Sequence, residues 1–422
     1  MENILKPYLS SSAFIFIFLI AVFYLQANEN KDISNLITRA AENDVKAQIA
    51  LGNAYFSGKG VDQDYSKAFD WYLQAEKNGS KSANFNIGLC YDNGLGVEID
   101  KMKAFEYYLK AAEYGVKEAL FNVAMSYRNG IRKGDIVLLK PDIDRAEKIL
   151  SGLSKKGFCP AYRALGEIYL NKSKFGDAFK VLKTSSEIGD PQGMNLLSDC
   201  YYYGWGTEQD YSKRFYWLKK AVDAGNIEAC GKLAYSLEIG DGLKQDMRTA
   251  MKYYTIAASS GLSMAQVKLG EAYAFGNGVS QDIPLAVSWY KKAAEQNNPK
   301  AYFALALMAM QGIGEKQDIR KASELFKKAA LLGEVHAQFN IANFYMNGKG
   351  VEKNPKKAFE WYKKAAENGS SKAQRELAFC YFDASGTEKD FKKGMYWLKK
   401  AVKNGDIHAK EFMRDVFGQK KK

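Results

Sequence analysis

The residues able to do chemistry are few and poorly placed for it. The 422-residue chain holds two histidines, His336 and His408. Each stands one residue before a recurring alanine, two 36-residue periods apart. With helices packed at roughly 10 Å they lie about 20 Å apart, so they cannot share one metal ion. Five cysteines, Cys90, Cys159, Cys200, Cys230 and Cys380, contain no Cys-x-x-Cys pair, and an odd number cannot all pair within one chain. They read as free, mostly buried thiols. One Ser-x-x-Lys occurs, Ser288-Trp289-Tyr290-Lys291, without the Lys-Thr-Gly that penicillin-recognising serine enzymes also carry. Phosphate-binding, dinucleotide and zinc-protease motifs are missing from the sequence. These residues point to no metal, no cofactor and no named reaction.

What remains is charge and aromatic surface. Lys and Arg number 61 against 48 Asp and Glu, a formal charge of +13. Part of the surplus is organised. Lys219-Lys220, Lys291-Lys292, Lys327-Lys328, Lys363-Lys364 and Lys399-Lys400 recur in register. Cations near the end of a helix complement its dipole, each by about 0.3–1 kcal/mol. Stacked, the pairs form a basic ridge, which also suits anionic lipid head groups, acidic glycans or an acidic partner. The 27 Tyr and 24 Phe make the chain rich in aromatic anchors.

The elements that position these residues come from an internal repeat. A small residue opens each unit at Ala47, Ala83, Ala119, Ala161, Gly193, Ala229, Ala265, Ala301, Ala337, Ala373 and Ala409. The spacings are 36, 36, 42 and 32, then 36 six times. An apolar–small pair such as Leu51-Gly52 or Leu269-Gly270 is followed by a tyrosine on the same helical face. A Gly-x-Gly turn, as at Gly94/Gly96 or Gly348/Gly350, ends the first helix. Asp64, Asp100, Asp210, Asp246, Asp282, Asp318, Asn354 and Asp390 then stand where a second helix needs an N-cap. That helix carries an aromatic, as at Trp71, Tyr107 or Trp361, and runs out near Ala-Ala-x-x-Gly. A helix pair of this size cannot bury its apolar face alone, so the units must stack.

Residues 47–79, AQIALGNAYFSGKGVDQDYSKAFDWYLQAEKNG, and 337–369, AQFNIANFYMNGKGVEKNPKKAFEWYKKAAENG, resemble the Sel-one-like repeat, a branch of the tetratricopeptide-repeat superfamily. The resemblance implies an all-α fold: a right-handed α/α solenoid of about ten 36-residue helix-turn-helix repeats. It also implies a protein-binding scaffold with its first helices lining a concave groove. Some secreted relatives are cysteine-rich stapled arrays to which penicillin-binding activity is ascribed. This sequence lacks their spacing of two cysteines per unit.

The expected organisation starts with residues 1–27, whose apolar run AFIFIFLIAVFYL (13–25) reads as a signal peptide cleaved after Ala27 or an N-terminal anchor. Repeats 1–3 follow over 33–160, the third with six extra residues around Arg132 to Pro141. A short, tetratricopeptide-like repeat 4 covers 161–192 and lacks the Gly-x-Gly turn. Repeats 5–10 cover 193–408, with a capping helix and basic tail over 409–422. The functional expectation is an exported, periplasmic or secreted, non-enzymatic scaffold. It would hold a protein or peptide in the groove through Tyr202, Tyr203, Trp205, Tyr235, Phe275, Phe379 and Phe382. Other groove positions include Asn53, Leu89, Met125, Asp199 and Glu271. The alternatives are a glycan- or lipid-surface-binding envelope protein using the ridge, or a β-lactam or cell-wall hydrolase. Export argues against nucleic acid.

Overall fold

A computed structural model describes residues 33–242 and 244–417. The apolar run of residues 13–25, its cleavage position and the basic tail after residue 417 lie outside the described residues. The described residues form two bodies that divide between Val181 and Leu182, inside the second helix of repeat 4, Phe175–Ile188. Among them are 22 helices and one two-stranded hairpin. A leading helix, Ile33–Ala41, is followed by ten helix pairs and a closing helix, Ile407–Phe417. In each body consecutive helices pack in turn, as in a helical-repeat solenoid. No described helix is long and apolar enough to cross a membrane.

The repeat punctuation acts as its chemistry requires. All eight expected N-cap side chains accept a backbone N–H from the first turn, from Asp64 with Lys67 to Asp390 with Lys393. Asp142 does the same for Arg145 in repeat 3, where the insertion had displaced it from the period. The second glycine of the turn has a separate task. Gly350 has a φ of +67°, and a Cβ there would stand 2.4 Å from the carbonyl oxygen of Ile319. The turn therefore rests directly on the start of the preceding repeat's second helix.

In repeats 1, 2 and 7 a buried tyrosine of the second helix locks the pair internally. Tyr72, Tyr108 and Tyr290 lie so close to Gly52, Gly88 and Gly270 that a Cβ would be 2.6–2.7 Å from the ring. Successive repeats meet through edge-to-face rings: Phe69 with Tyr91, Phe105 with Tyr127 and Phe359 with Tyr381, at centroid distances of 5.3–5.4 Å. A buried glutamine adds a polar lock. Gln48, Gln266, Gln338 and Gln374 donate to carbonyls near the end of the preceding helix, those of Ala40, Ala258, Ala330 and Ala366. Their own carbonyl oxygens accept from Asn78, Gln296, Asn368 and Asn404. Both halves of each buried amide are thereby satisfied.

The departures in repeats 3 and 4 take different forms. The insertion in repeat 3 folds as an antiparallel hairpin, β1 Ile131–Lys133 and β2 Ile136–Leu139. Ile131 is buried against the body, whereas Ile136 and Leu138 are exposed. Repeat 4 replaces the glycine turn by Lys172-Ser173-Lys174, with Ser173 at a φ of +57°.

Gly350 and Gly369 separate conformational cost from docking cost. Gly369 also has positive φ, but a Cβ there meets nothing within 4 Å. Gly369→Ala should lower stability by about 1–2 kcal/mol, the price of a left-handed residue. Gly350→Ala should lower it by clearly more. Urea unfolding of the two variants side by side checks the order.

Candidate functional site

The first helices of repeats 5–7, Pro191–Tyr203, Ile227–Ile239 and Ser263–Phe275, present a row of charges in two ion-paired groups. Lys232 donates to Asp199 at 2.6 Å, and Lys268 donates to Glu238 at 2.9 Å. Lys268 also lies 3.6 Å from Glu271 and 5.9 Å from the centre of the Tyr235 ring. Burial works against the charge on Lys268. The bond to Glu238 and the nearby Glu271 outweigh it and hold the amine above the usual lysine range. The core tyrosine of repeat 6 fixes this row from below, because Tyr254 donates to Glu238 at 2.6 Å. Burial first, and the carboxylate second, push that phenol far above its ordinary value.

Beside the charges runs an apolar stripe. Tyr203, Ile239 and Phe275 are the last residues of their helices, 36 apart, and are 58%, 48% and 72% exposed. The same position holds Ser57, Asn93, Asn129, Asn171, Gln311, Asn347 and Asp383 in the other repeats, all polar. Tyr203 stacks on Trp205 of the following turn, with centroids 4.5 Å apart and planes within 22°. Tyr235, one turn back along its helix, is also exposed.

The seven expected anchors thus separate into two groups. Tyr203, Trp205, Tyr235 and Phe275 border the stripe. Tyr202 is half-buried instead, under the Arg214 guanidinium at 4.0 Å, which is paired with Asp241. Phe379 and Phe382 pack against Phe412 of the closing helix, with Phe382 also pressed on Gly394. Ile239 escaped sequence reading because an isoleucine ending a helix looks ordinary alone. The signal lay in comparing the residue before the first loop glycine across repeats.

The N-terminal body carries a different feature on its first helices. A cavity of about 340 Å³ is lined by Leu89, Asp92, Tyr108, Asn122, Met125 and Ile131, among others. Asp92 accepts from Lys101 at 2.7 Å and from the buried Tyr108 hydroxyl at 3.1 Å. The hairpin of repeat 3 supplies Ile131 and Arg132 to one wall. Leu89 and Met125 were expected on this face; Asp92 and Asn122 were not singled out.

The lysine pairs divide their labour. Lys292, Lys364 and Lys400 lie 4.3–4.7 Å from the ring centres of Trp289, Trp361 and Trp397. Their partners Lys291, Lys363 and Lys399 point to solvent. Ser288 belongs to this same helix, beside Trp289. His336 sits near Phe303 and His408 near Glu411, both exposed. Among the described residues no group of three His, Cys, Asp or Glu side chains is arranged to hold a metal.

A stack of paired helices with such a face defines an α-helical repeat protein. Nine stretches match the Sel1 repeat: residues 45–80, 81–115, 117–150, 191–226, 227–262, 263–298, 299–334, 335–370 and 371–406. The chain belongs to the Sel1-repeat family. Repeat 4, the unit without a glycine turn, falls between the matched stretches. Among solved structures, the chain is similar to c5321, described as a protective antigen of uropathogenic Escherichia coli strains displaying an SLR fold. The identity is 30%, over 96% of this chain and 87% of that one, with a TM-score of 0.65. It is also similar to a Sel1 repeat protein from Oxalobacter formigenes, at 30% identity over 56% of this chain and 98% of that one, with a TM-score of 0.54. No curated protein matches the chain.

The thiols give a direct check of the packing. All five are free; Cys90, Cys200, Cys230 and Cys380 are buried and Cys159 is exposed. Burial pushes Cys90, Cys200 and Cys380 up to about 12 and raises Cys230. Thiolate is the reactive form. A disulfide reagent at pH 8 should therefore label one thiol rapidly in the native protein and five in urea. Cys159→Ser should abolish the fast phase.

Proposed function

We propose that this Sel1-repeat protein is an exported, non-catalytic scaffold that holds a segment of a partner protein along the first helices of repeats 5–7. Sel1-repeat proteins are in general protein-interaction scaffolds. The observation that carries the finer reading is the stripe of Tyr203, Ile239 and Phe275, apolar in three consecutive repeats and polar in the rest. Rigid aromatic anchors contribute contact area at low entropic cost. The bordering Asp199, Lys232, Glu238 and Lys268 are already paired with one another, so a partner covering the stripe leaves few charges unpartnered. The mode is groove capture by side-chain anchors and a polar rim, without metal or cofactor. Export is supported by the apolar run of residues 13–25 and by the likeness to a protein described as a protective antigen.

The test is affinity capture from an envelope fraction, with the wild-type chain compared with Tyr203→Ser, Ile239→Asn, Phe275→Asn. These substitutions install residue types that other repeats carry at the same position. Partner retention should fall at least tenfold, while the melting curve stays unchanged because all three side chains are exposed. Undiminished retention would remove the stripe from the site. Turnover of a chromogenic β-lactam by the purified chain would replace the scaffold reading with the hydrolase.

A further inference from the structure

The positive charge of this protein has a location. Summed over their residues, the six first helices of repeats 5–10 carry a formal charge of −1, whereas their six second helices carry +16. The second helices of repeats 1–4 carry only +2. The N-cap carboxylates Asp210, Asp246, Asp282, Asp318 and Asp390 offset five of these charges, so the second helices of one body still hold most of the net charge of the chain.

That face is neutralised only in part: Lys213, Lys321 and Lys393 pair with Asp210, Glu315 and Asp390. Lys219, Lys291, Lys327 and Lys399 are exposed, and among the described residues none has a carboxylate within ion-pair distance. Lys363 reaches Glu367 only at 4.0 Å. Aromatic and apolar side chains stand among them. Tyr216, Tyr396, Phe391 and Leu331 are 50%, 59%, 57% and 65% exposed on these same second helices. Tyr216 and Tyr396 occupy one register position. Each lies edge-on to the next residue, Trp217 or Trp397, and near Lys220 or Lys400.

We propose that the second-helix face of repeats 5–10 docks on an anionic lipid surface, independently of the first-helix site. Charge complementarity selects the partner. A row of unpaired cations distributed over several repeats suits an extended field of phosphate groups better than a single bound anion. The interleaved tyrosines and Phe391 supply amphipathic rings of the kind that settle at head-group depth. Lysines supply stems that lie along apolar surface while the ammonium stays in water. A soluble acidic protein would satisfy the charges but leave the exposed rings without a role.

Co-sedimentation of the full chain with vesicles tests this. The vesicles are phosphatidylcholine alone or with about one third phosphatidylglycerol. At 0.1 M salt the anionic vesicles should bind at least tenfold more strongly, and 0.5 M salt should erase the difference. Joint substitution of Lys219, Lys291, Lys327, Lys363 and Lys399 by Gln should reduce binding to the neutral-vesicle level. The same change at Lys67, Lys103, Lys110, Lys148 and Lys155, in repeats 1–3, should leave it intact. Tyr396→Ser should weaken it severalfold at constant charge. Equal binding to both vesicle types, or equal losses in the two quintuple variants, would overturn the proposal. So would binding to soluble polyglutamate with none to anionic vesicles. Thermal melting confirms that each variant is folded.

Discussion

A buried second-helix side chain at one register position sets the distance at which the two helices of a repeat meet: tyrosine in repeats 1, 2, 6, 7 and 9, Phe326 in repeat 8, and Leu150, Leu182, Leu218 and Leu398 in repeats 3, 4, 5 and 10. Tyr72 on Gly52, Tyr108 on Gly88 and Tyr290 on Gly270 leave no room for even a methyl group. Everything else inherits that separation. The edge-to-face rings between repeats, the glutamine locks and the seating of the glycine turn all require first and second helices at one fixed spacing. The hydroxyl at the far end of the ring extends the same constraint to the surface. In repeats 1, 2, 6 and 9 it bonds to Asn53, Asp92, Glu238 and Asn343 on the first-helix face. Core packing thus orients polar groups of the first-helix face.

A solenoid built this way separates its two exposed faces, and in this chain they differ in chemistry. The first-helix face of repeats 5–7 is nearly neutral, internally ion-paired and striped with apolar side chains. The second-helix face of the same body is strongly basic, with Lys219, Lys291, Lys327 and Lys399 left without an ion-pair partner among the described residues. The N-terminal body shares the core but neither surface; its distinguishing feature is the cavity walled by the repeat 3 hairpin. Positions inside the period are constrained by packing, and the features that set the two bodies apart lie at departures from the repeat.

Legibility in the sequence follows the same line. Helix starts at Asp64 through Asp390 were readable because an N-cap is a local interaction with a strict position. Loop glycines were readable because few residues accept positive φ. The surface was harder. Phe379 and Phe382 looked like groove anchors, yet they lie under the closing helix, which a position-by-position reading of one face does not weigh. Ile239 was overlooked because its meaning depends on what Ser57 or Asn347 does elsewhere. The glutamine locks were missed for a related reason: Gln48 bonds across about eight and thirty residues at once, and no local pattern reports that. The insertion of repeat 3 was legible as a break in the period, but its hairpin form was not anticipated.

The first helix of repeat 10 is capped differently from its counterparts. Ala384 occupies the left-handed position that glycine holds at the end of seven other first helices, at a φ of +55°. An alanine there costs about 1 kcal/mol. That cost falls on the first helix of repeat 10, which makes its turn easier to open than the glycine-capped ones, and the Phe379–Phe382–Phe412 cluster is the contact that holds it shut.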